Sequence, residues 1–321
     1  MPVELDAAAI LAGLIFLGIL GGSAVLWIAR FQRSNVNFVR EANVPAWSIG
    51  WINFLIFLCA MVISVVAAQV FAGELLHLAG NTSDTAPIED TSEAIETSIV
   101  TDAECIQNKS EPDRPELTPW MAVAAVLLLQ IPLLGTFYFL RKFYPEQFAG
   151  RFNAHALTLS QALTQALPLF IRYLPIIWIV SFAWSSLLAF LQSRGFIEEF
   201  PPQELIKLFT AGGDPTAITL LVILAVVLAP IVEEIVFRGG IYRFLKSQTT
   251  LLPAQIISGA VFALMHGNLM SFLPLAVVGI LLARVYERSG NILVSICFHA
   301  CFNGFSLLML YIMSHTSIPV G

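Results

Sequence analysis

Two adjacent carboxylates, Glu233 and Glu234, interrupt the apolar run LVILAVVLAPIVEEIVFR at residues 221–238. Arg238 follows Glu234 by four residues, a spacing that places both side chains on one helical face and lets them pair. Glu233 points about 100° away around the same helix and lacks that partner. Ionisable side chains inside apolar spans are costly and usually functional. We therefore expect Glu233 to act as a general base, rather than both glutamates simply ending a helix at the membrane surface.

Two histidines lie inside further apolar runs. His266 lies in PAQIISGAVFALMHGNL at residues 253–269, on one helical face with Phe262. His299 lies in NILVSICFHACFNGFSLL, one helical turn before Asn303. Either histidine alone would be explained as a packing residue. Together with the glutamates on a third apolar run, they predict a polar site among the helices.

This set of side chains is suited to hydrolysis. A carboxylate and an imidazole can hold a water molecule, directly or through a metal ion. A second imidazole and an amide N–H can donate to a developing oxyanion, and acyl transfer needs both functions. The sequence contains neither the G-x-S-x-G motif of serine hydrolases nor the H-E-x-x-H motif of zinc proteases, so these two common sites are excluded.

The composition places these residues in a membrane. Of the 321 residues, 57% are hydrophobic and 12% are charged, whereas soluble domains carry about 25% charged residues. The mean hydropathy is +0.81. A soluble enzyme and a disordered chain are thereby excluded. The net charge of -6, with 16 basic residues, argues against nucleic acid as a partner. The long unbroken apolar runs predict an all-α, polytopic membrane helix bundle.

The apolar runs predict about eight transmembrane helices. Their predicted extents are residues 5–29, 47–71, 119–140, 167–191, 215–238, 252–270, 271–287 and 291–314. Residues 147–166 instead mix apolar and polar positions at helical spacing, which predicts an interfacial amphipathic helix. The predicted divisions are two N-terminal helices (1–72), an acidic loop (73–118), two helices with the amphipathic segment (119–214) and a catalytic core (215–314).

The basic residues of the short loops predict the orientation. The loops after the first, third, fifth and seventh spans carry most of the Arg and Lys residues, so these loops should be cytoplasmic. Both termini and the acidic loop would then be extracytoplasmic, with the active site opening toward the cytoplasm. The loop holds eleven of the 22 acidic residues and has no core-forming periodicity, which predicts a solvated, flexible segment.

The predicted spans place the three groups at unequal depths. Measured from the cytoplasmic end of its own span, Glu233 would lie about 7 Å deep, His299 about 12 Å and His266 about 21 Å. These side chains can meet only if the sixth span starts below the membrane edge or is tilted.

Three motifs occur in order along the chain: Glu233-Glu234-x-x-x-Arg238, Phe262-x-x-x-His266 and His299-x-x-x-Asn303. Together they resemble the motifs of the CPBP intramembrane proteases, also called the Abi or CAAX-protease family, which includes the type II CAAX prenyl endopeptidases. The segment SGNI before the third motif also resembles the family pattern. The resemblance covers about residues 216–310, whereas the first 200 residues carry only generic membrane character.

The resemblance implies a role for each residue. Glu233 would activate water as the general base, with His266 helping to hold that water. His299 and Asn303 would stabilise the oxyanion. The supporting residues would be Glu234, Arg238 and Phe262.

The resemblance leaves the cofactor open. Members of the family are called metalloproteases, and a bound Zn²⁺ would take His266, His299 and one Glu as ligands. A purely glutamate-dependent mechanism without a metal has also been argued for them. The implied partners are membrane lipid and a peptide or protein substrate, and a prenylated, lipid-modified substrate is one option.

Two other functions compete with an intramembrane endopeptidase. One is a non-proteolytic membrane scaffold or immunity-type protein of the same fold, which would not need intact motif residues. The other is a proton-coupled transporter that uses Glu233 and the histidines as a proton relay, but the sequence shows no internal repeat. The endopeptidase is the preferred hypothesis.

Overall fold

Helices account for all the regular secondary structure in the part of the chain that the computed structural model describes, which is residues 7–32, 44–81, 118–197 and 213–314. Polar caps begin several of them. Thr118 and Asn268, for example, each accept a hydrogen bond from a main-chain N–H of the following first turn. The helices are α1 (Ala7–Gln32), α2 (Trp51–Asn81), α3 (Pro119–Phe143), α4 (Pro145–Phe148), α5 (Leu159–Ser193), α6 (Pro215–Gln248), α7 (Leu251–Leu264), α8 (Leu269–Ser289) and α9 (Ile292–Ser314).

Within these described ranges, seven helices are long and apolar enough to cross a membrane. The chain is therefore an integral, multi-pass, all-α membrane protein, as predicted. The predicted sixth span, 252–270, differs, because α7 has 14 residues and ends at Leu264. Such a helix is about 21 Å long, whereas the hydrocarbon core is about 30 Å thick. Gly267, with φ +63°, then turns the chain into α8.

The predicted fifth span ends too early at Arg238, since α6 continues to Gln248. Arg238 and Arg243 end the apolar run in the sequence, but both side chains are buried and hydrogen-bonded inside the protein. The longer helix places Glu233 about 22 Å before its end. This distance is close to the depth of about 21 Å expected for His266. The predicted spans give Glu233 and His266 different depths, and the longer helix removes that difference.

The predicted interfacial helix over 147–166 is not present as a separate element. Residues 149–158 are irregular, and α5 begins only after them. Thr158 starts α5 through a capping box with Gln161, so residues 159–166 become the first turns of a long helix. The side-chain amide of Asn291, in the turn between α8 and α9, donates to a main-chain oxygen of the irregular segment.

The predicted acidic loop, 73–118, lies largely outside the described residues. Its first residues belong to α2, which continues to Asn81, and the structure next describes Thr118 at the start of α3. The flexibility of the loop and its side of the membrane stay predictions, as does the orientation of both termini.

Two large clusters of buried apolar side chains hold the described helices together. One joins α2, α3 and α6, and its aromatic rings include the stacked pair Phe54 and Phe244, with centroids 3.7 Å apart. The other joins α5, α8 and α9, where Phe170 lies edge-on to Phe298 at 6.0 Å. The part of α6 that carries the two glutamates contacts α3 through Gln130 and α9 through His299.

Candidate active site

Glu233 and Glu234 face different neighbours, as their predicted separation around the helix requires. The Glu233 side chain is 17% exposed, whereas that of Glu234 is 0% exposed. Glu233 Oε1 lies 3.4 Å from Nε2 of Gln130 on α3, and Glu233 Oε2 lies 3.8 Å from Nε2 of His299 on α9. Both contacts are long, so the Glu233 carboxylate keeps acceptor capacity for a further hydrogen bond.

Glu234 is fully engaged by three donors. Its Oε1 accepts from Nη1 of Arg238 at 2.8 Å and lies 3.1 Å from Nδ1 of His299. Its Oε2 accepts from the hydroxyl of Ser295 at 2.6 Å. The ion pair with Arg238 that the spacing predicts is present. A buried carboxylate with a paired charge and three donors is suited to hold its neighbours rather than to accept a proton.

Arg238 ties α6 to α8 and to the aromatic cluster. Its Nη2 donates to the main-chain oxygen of Gly279 at 3.0 Å, and its Cζ lies 4.7 Å from the ring centre of Phe262. α7 crosses α8 at this point with almost no space between them: a Cβ on Gly279 would lie 2.7 Å from the Cα of Gly259. The lack of side chains at Gly259 and Gly279 therefore sets how closely α7 approaches the main chain of α8, which accepts the hydrogen bond from Arg238.

His299 lies between the two carboxylates. Because Glu234 Oε1 can only accept, we assign the donated proton to Nδ1 of His299 from the hydrogen-bond network. In the neutral ring, Nε2 is then an acceptor that faces Glu233. At a separation of 3.8 Å, Nε2 of His299 and Oε2 of Glu233 can both bind one water molecule at about 2.8 Å.

His266 lies just beyond the end of α7 and is exposed. Its Nδ1 lies 2.7 Å from the main-chain oxygen of Phe262, which makes Nδ1 the donor and leaves Nε2 as the acceptor. The Phe262 ring lies 4.7 Å from the His266 ring and 5.7 Å from the His299 ring, measured between centroids. Phe262 thus contacts both histidines, and no hydrogen bond or ion pair between described residues joins His266 to Glu233 or His299.

The arrangement of these side chains does not fit a zinc site. Among the described residues, no group of three His, Cys, Asp or Glu side chains is placed to hold a metal ion. Both ring nitrogens of His299 face carboxylates, while the exposed His266 packs against Phe262 with the two rings tilted by 58°. A tetrahedral zinc ion needs three protein ligands that point to one centre. We therefore use no metal in the mechanism proposed below.

Asn303 donates through Nδ2 to the main-chain oxygen of Ala225 at 2.8 Å. The local helix explains why this oxygen needs a donor. A π-helical stretch directs the N–H of Ala229 to Leu224, and Pro230 has no N–H to offer. Asn303 therefore lies one turn beyond His299, with one amide hydrogen used for the backbone of α6 and a second hydrogen available.

Gln130 belongs to the site, although no sequence motif includes it. It lies on α3, which carries none of the motifs, yet its side chain is buried and contacts Glu233. A signal was present in the sequence, because Gln130 is the only amide in the apolar run of the third span. The N-terminal half of the chain thus contributes to the site.

Comparisons with known proteins support the motif pattern. Residues 215–305 match the family described as type II CAAX prenyl endopeptidase Rce1-like. The Bacillus subtilis (strain 168) protein named "Putative membrane peptidase YdiL" is 33% identical over 93 residues, which is 29% of this chain and 38% of that protein. The chain thus spans little more than a third of that relative. No solved structure matches this chain. The resemblance of the C-terminal helices to the CPBP family is confirmed.

Proposed function

We propose that this membrane protein, whose residues 215–305 match the Rce1-like endopeptidases, is an intramembrane endopeptidase that uses Glu233 to activate water. The observation that carries the proposal is the contrast between the adjacent carboxylates. Glu234 is buried and bound by three donors, whereas Glu233 is partly exposed beside an imidazole nitrogen. A scaffold would have no need for one acceptor-competent carboxylate placed in this way.

In the proposed reaction, Oε2 of Glu233 accepts a proton from water, and the resulting hydroxide attacks the carbonyl carbon of the peptide bond. The negative charge moves to the carbonyl oxygen. When His299 carries a proton on both nitrogens, its Nε2–H donates to this oxyanion, and the second amide hydrogen of Asn303 does the same. As the C–N bond breaks, the protonated Glu233 returns its proton to the leaving amine.

Glu234 and Arg238 have a supporting role in this proposal. Glu234 holds the Nδ1 side of His299, so the ring keeps Nε2 directed at Glu233. Arg238 balances the buried charge of Glu234 and fixes it to α8. We assign His266, whose ring packs against Phe262, a secondary role in holding the water.

The proposed substrates are peptides or proteins that reach the site from the membrane. A prenylated, lipid-modified substrate is one option, in keeping with the description of the matching family. We also propose that the site opens toward the cytoplasm, from the distribution of basic residues among the loops.

The test compares membranes from cells that express the wild type or the Glu233→Gln variant at equal levels. The newly formed peptide termini are identified by mass spectrometry. We expect a set of termini that depends on Glu233, with Glu74→Gln as the matched control, because Glu74 is an exposed carboxylate on α2. The same termini in wild type and Glu233→Gln would contradict the proposed function and favour a scaffold or a transporter.

A further inference from the structure

Gln130 places a buried carboxamide against the carboxylate of Glu233. The side chain of Gln130 is 3% exposed, and its Nε2 lies 3.4 Å from Glu233 Oε1. Its own Oε1 is fully buried and has no hydrogen-bond partner among the described residues. A buried acceptor without a partner is costly, and native structures contain few of them. A satisfied packing role does not explain this side chain.

The carboxamide can lie in only one orientation beside an ionised Glu233. A carboxylate accepts hydrogen bonds only, so the NH₂ group of Gln130 must face it. Rotation of the amide by 180° would instead place oxygen against oxygen. The unpartnered Oε1 of Gln130 is bonded to the same amide carbon, and it therefore lies within a few ångströms of the carboxylate.

We propose that Gln130 is a positioning residue for the general base, an inference that rests on the proposed function. Its Nε2–H donates to Oε1 of Glu233, which leaves Oε2, the oxygen nearer His299, as the atom that takes the proton. The Glu233 carboxylate is then held in one orientation, with the lone pairs of Oε2 directed at the water that it deprotonates.

The donor role of Gln130 has a consequence that does not depend on turnover. A hydrogen bond to the ionised form of a carboxylate favours that form. Removal of the Gln130 amide should therefore change how the reactivity of the Glu233 carboxyl group depends on pH. Among the described residues, the other charged groups that interact with Glu233 are His299 on α9 and Arg238 on α6, and both stay in place in the variants tested.

The first experiment measures how pH changes the labelling of Glu233 by dicyclohexylcarbodiimide, an apolar reagent that reacts with protonated carboxyl groups. The purified full chain is used in detergent, and the Glu233→Gln variant gives the background. We expect the midpoint for Gln130→Met to move to higher pH, and that for Gln130→Glu to move further because two like charges then face each other. Gln69→Met is the matched control, since Gln69 is exposed on α2.

The second experiment measures cleavage of a peptide that carries a cleavage site found in the membrane comparison. We expect kcat for Gln130→Met to fall about 10- to 100-fold with little change in KM, because the lost contact serves the base rather than substrate binding. If Gln130→Met does not fold, Gln130→Asn replaces it, because its shorter side chain keeps the amide but cannot make the contact.

The two experiments separate this inference from the proposed function. An unchanged labelling midpoint in folded Gln130→Met, or an unchanged kcat, would overturn the role of Gln130 while cleavage by the wild type still depends on Glu233. Cleavage that does not depend on Glu233 would refute the proposed function instead. In that case the labelling midpoint still reports whether Gln130 donates to Glu233.

Discussion

The side-chain amide of Asn303 donates a hydrogen bond of 2.8 Å to the main-chain oxygen of Ala225. The contact joins α9 to α6. It supplies a donor to a main-chain oxygen that has none within α6, because of Pro230 and the preceding π-helical stretch. Unpaired main-chain groups are expensive inside a membrane. Asn303 therefore has a structural function as well as the oxyanion function that we propose, and the two can be measured separately.

We expect Asn303→Ala to lower the free energy of unfolding by about 1–3 kcal/mol, because the Ala225 oxygen loses its donor. In a Pro230→Ala background, the N–H restored at position 230 can reach that oxygen in a π-helical turn, so the same substitution should cost less. Unfolding in mixed micelles measures both losses. The cleavage rate should stay about 10²–10³-fold low in both backgrounds, because Pro230→Ala does not restore an oxyanion donor. Equal stability losses in the two backgrounds would contradict this account of Asn303.

The adjacent glutamates should give opposite phenotypes. Glu233→Gln keeps the shape of the side chain but removes the base, so we expect normal unfolding and cleavage reduced about 10²–10⁴-fold. Glu234→Gln leaves the buried Arg238 without its charge partner and should lower stability while some turnover survives. Purified variants are compared by thermal unfolding and peptide cleavage. A well-folded but inactive Glu234→Gln beside an active Glu233→Gln would show that the wrong glutamate is assigned as the base.

The sequence predicts those features of the site that depend on local spacing. Glu234 and Arg238 are four residues apart on one helix, so their pairing follows from helical geometry alone. The contact between Gln130 and Glu233 joins residues 103 positions apart and depends on how α3 packs against α6. Helical spacing predicts contacts within one helix only, so it cannot predict this contact between two helices.

Hydropathy alone also misplaces the ends of two helices. α6 continues past Arg238 because the Arg238 side chain is hydrogen-bonded to Glu234 and Gly279 inside the protein. A hydropathy average over residue types does not include such contacts. α7 ends at Leu264, two residues before His266, so this histidine lies in a turn rather than on the predicted span. The motif predicts that His266 lies close to Phe262. The direction in which the His266 ring points depends on where α7 ends, and the motif does not give that position.

We expect Arg238→Ala to lower the folded yield more than it changes the chemistry. The substitution leaves Glu234 buried without a charge partner, which typically costs about 3–5 kcal/mol. Arg194→Ala is the matched control, because Arg194 is exposed beyond the end of α5, and its effect should stay within about 0.5 kcal/mol. Yield from size-exclusion chromatography and thermal unfolding measure the difference. Wild-type yield and stability for Arg238→Ala would show that the ion pair is not needed for folding.

The crossing of α7 and α8 should tolerate no side chain at Gly259. A Cβ there would lie 2.7 Å from the main-chain oxygen of Ala276, so the two helices must move apart. That movement would also shift the Gly279 oxygen away from Arg238, and we expect Gly259→Ala to lose both stability and activity. Gly135→Ala is the control, because nothing lies within 4 Å of a Cβ at that exposed helical position. Its effect should be neutral or slightly stabilising, and equal behaviour of the two variants would argue against a tight crossing.

Removal of metal ions should leave cleavage unchanged. Both nitrogens of His299 are directed at Glu233 and Glu234, and Phe262 lies against both histidine rings, so His266 and His299 do not point to a common centre. A zinc-dependent site would need these rings to turn toward one ion and would break the contact between His299 and Glu234. We expect kcat to stay within about twofold after dialysis against a chelator, since no proposed step uses a Lewis acid. Elemental analysis of the purified chain should find far less than one zinc per protein. One bound zinc per chain, with cleavage lost on its removal and restored by its return, would show that the histidines rearrange around a metal during catalysis.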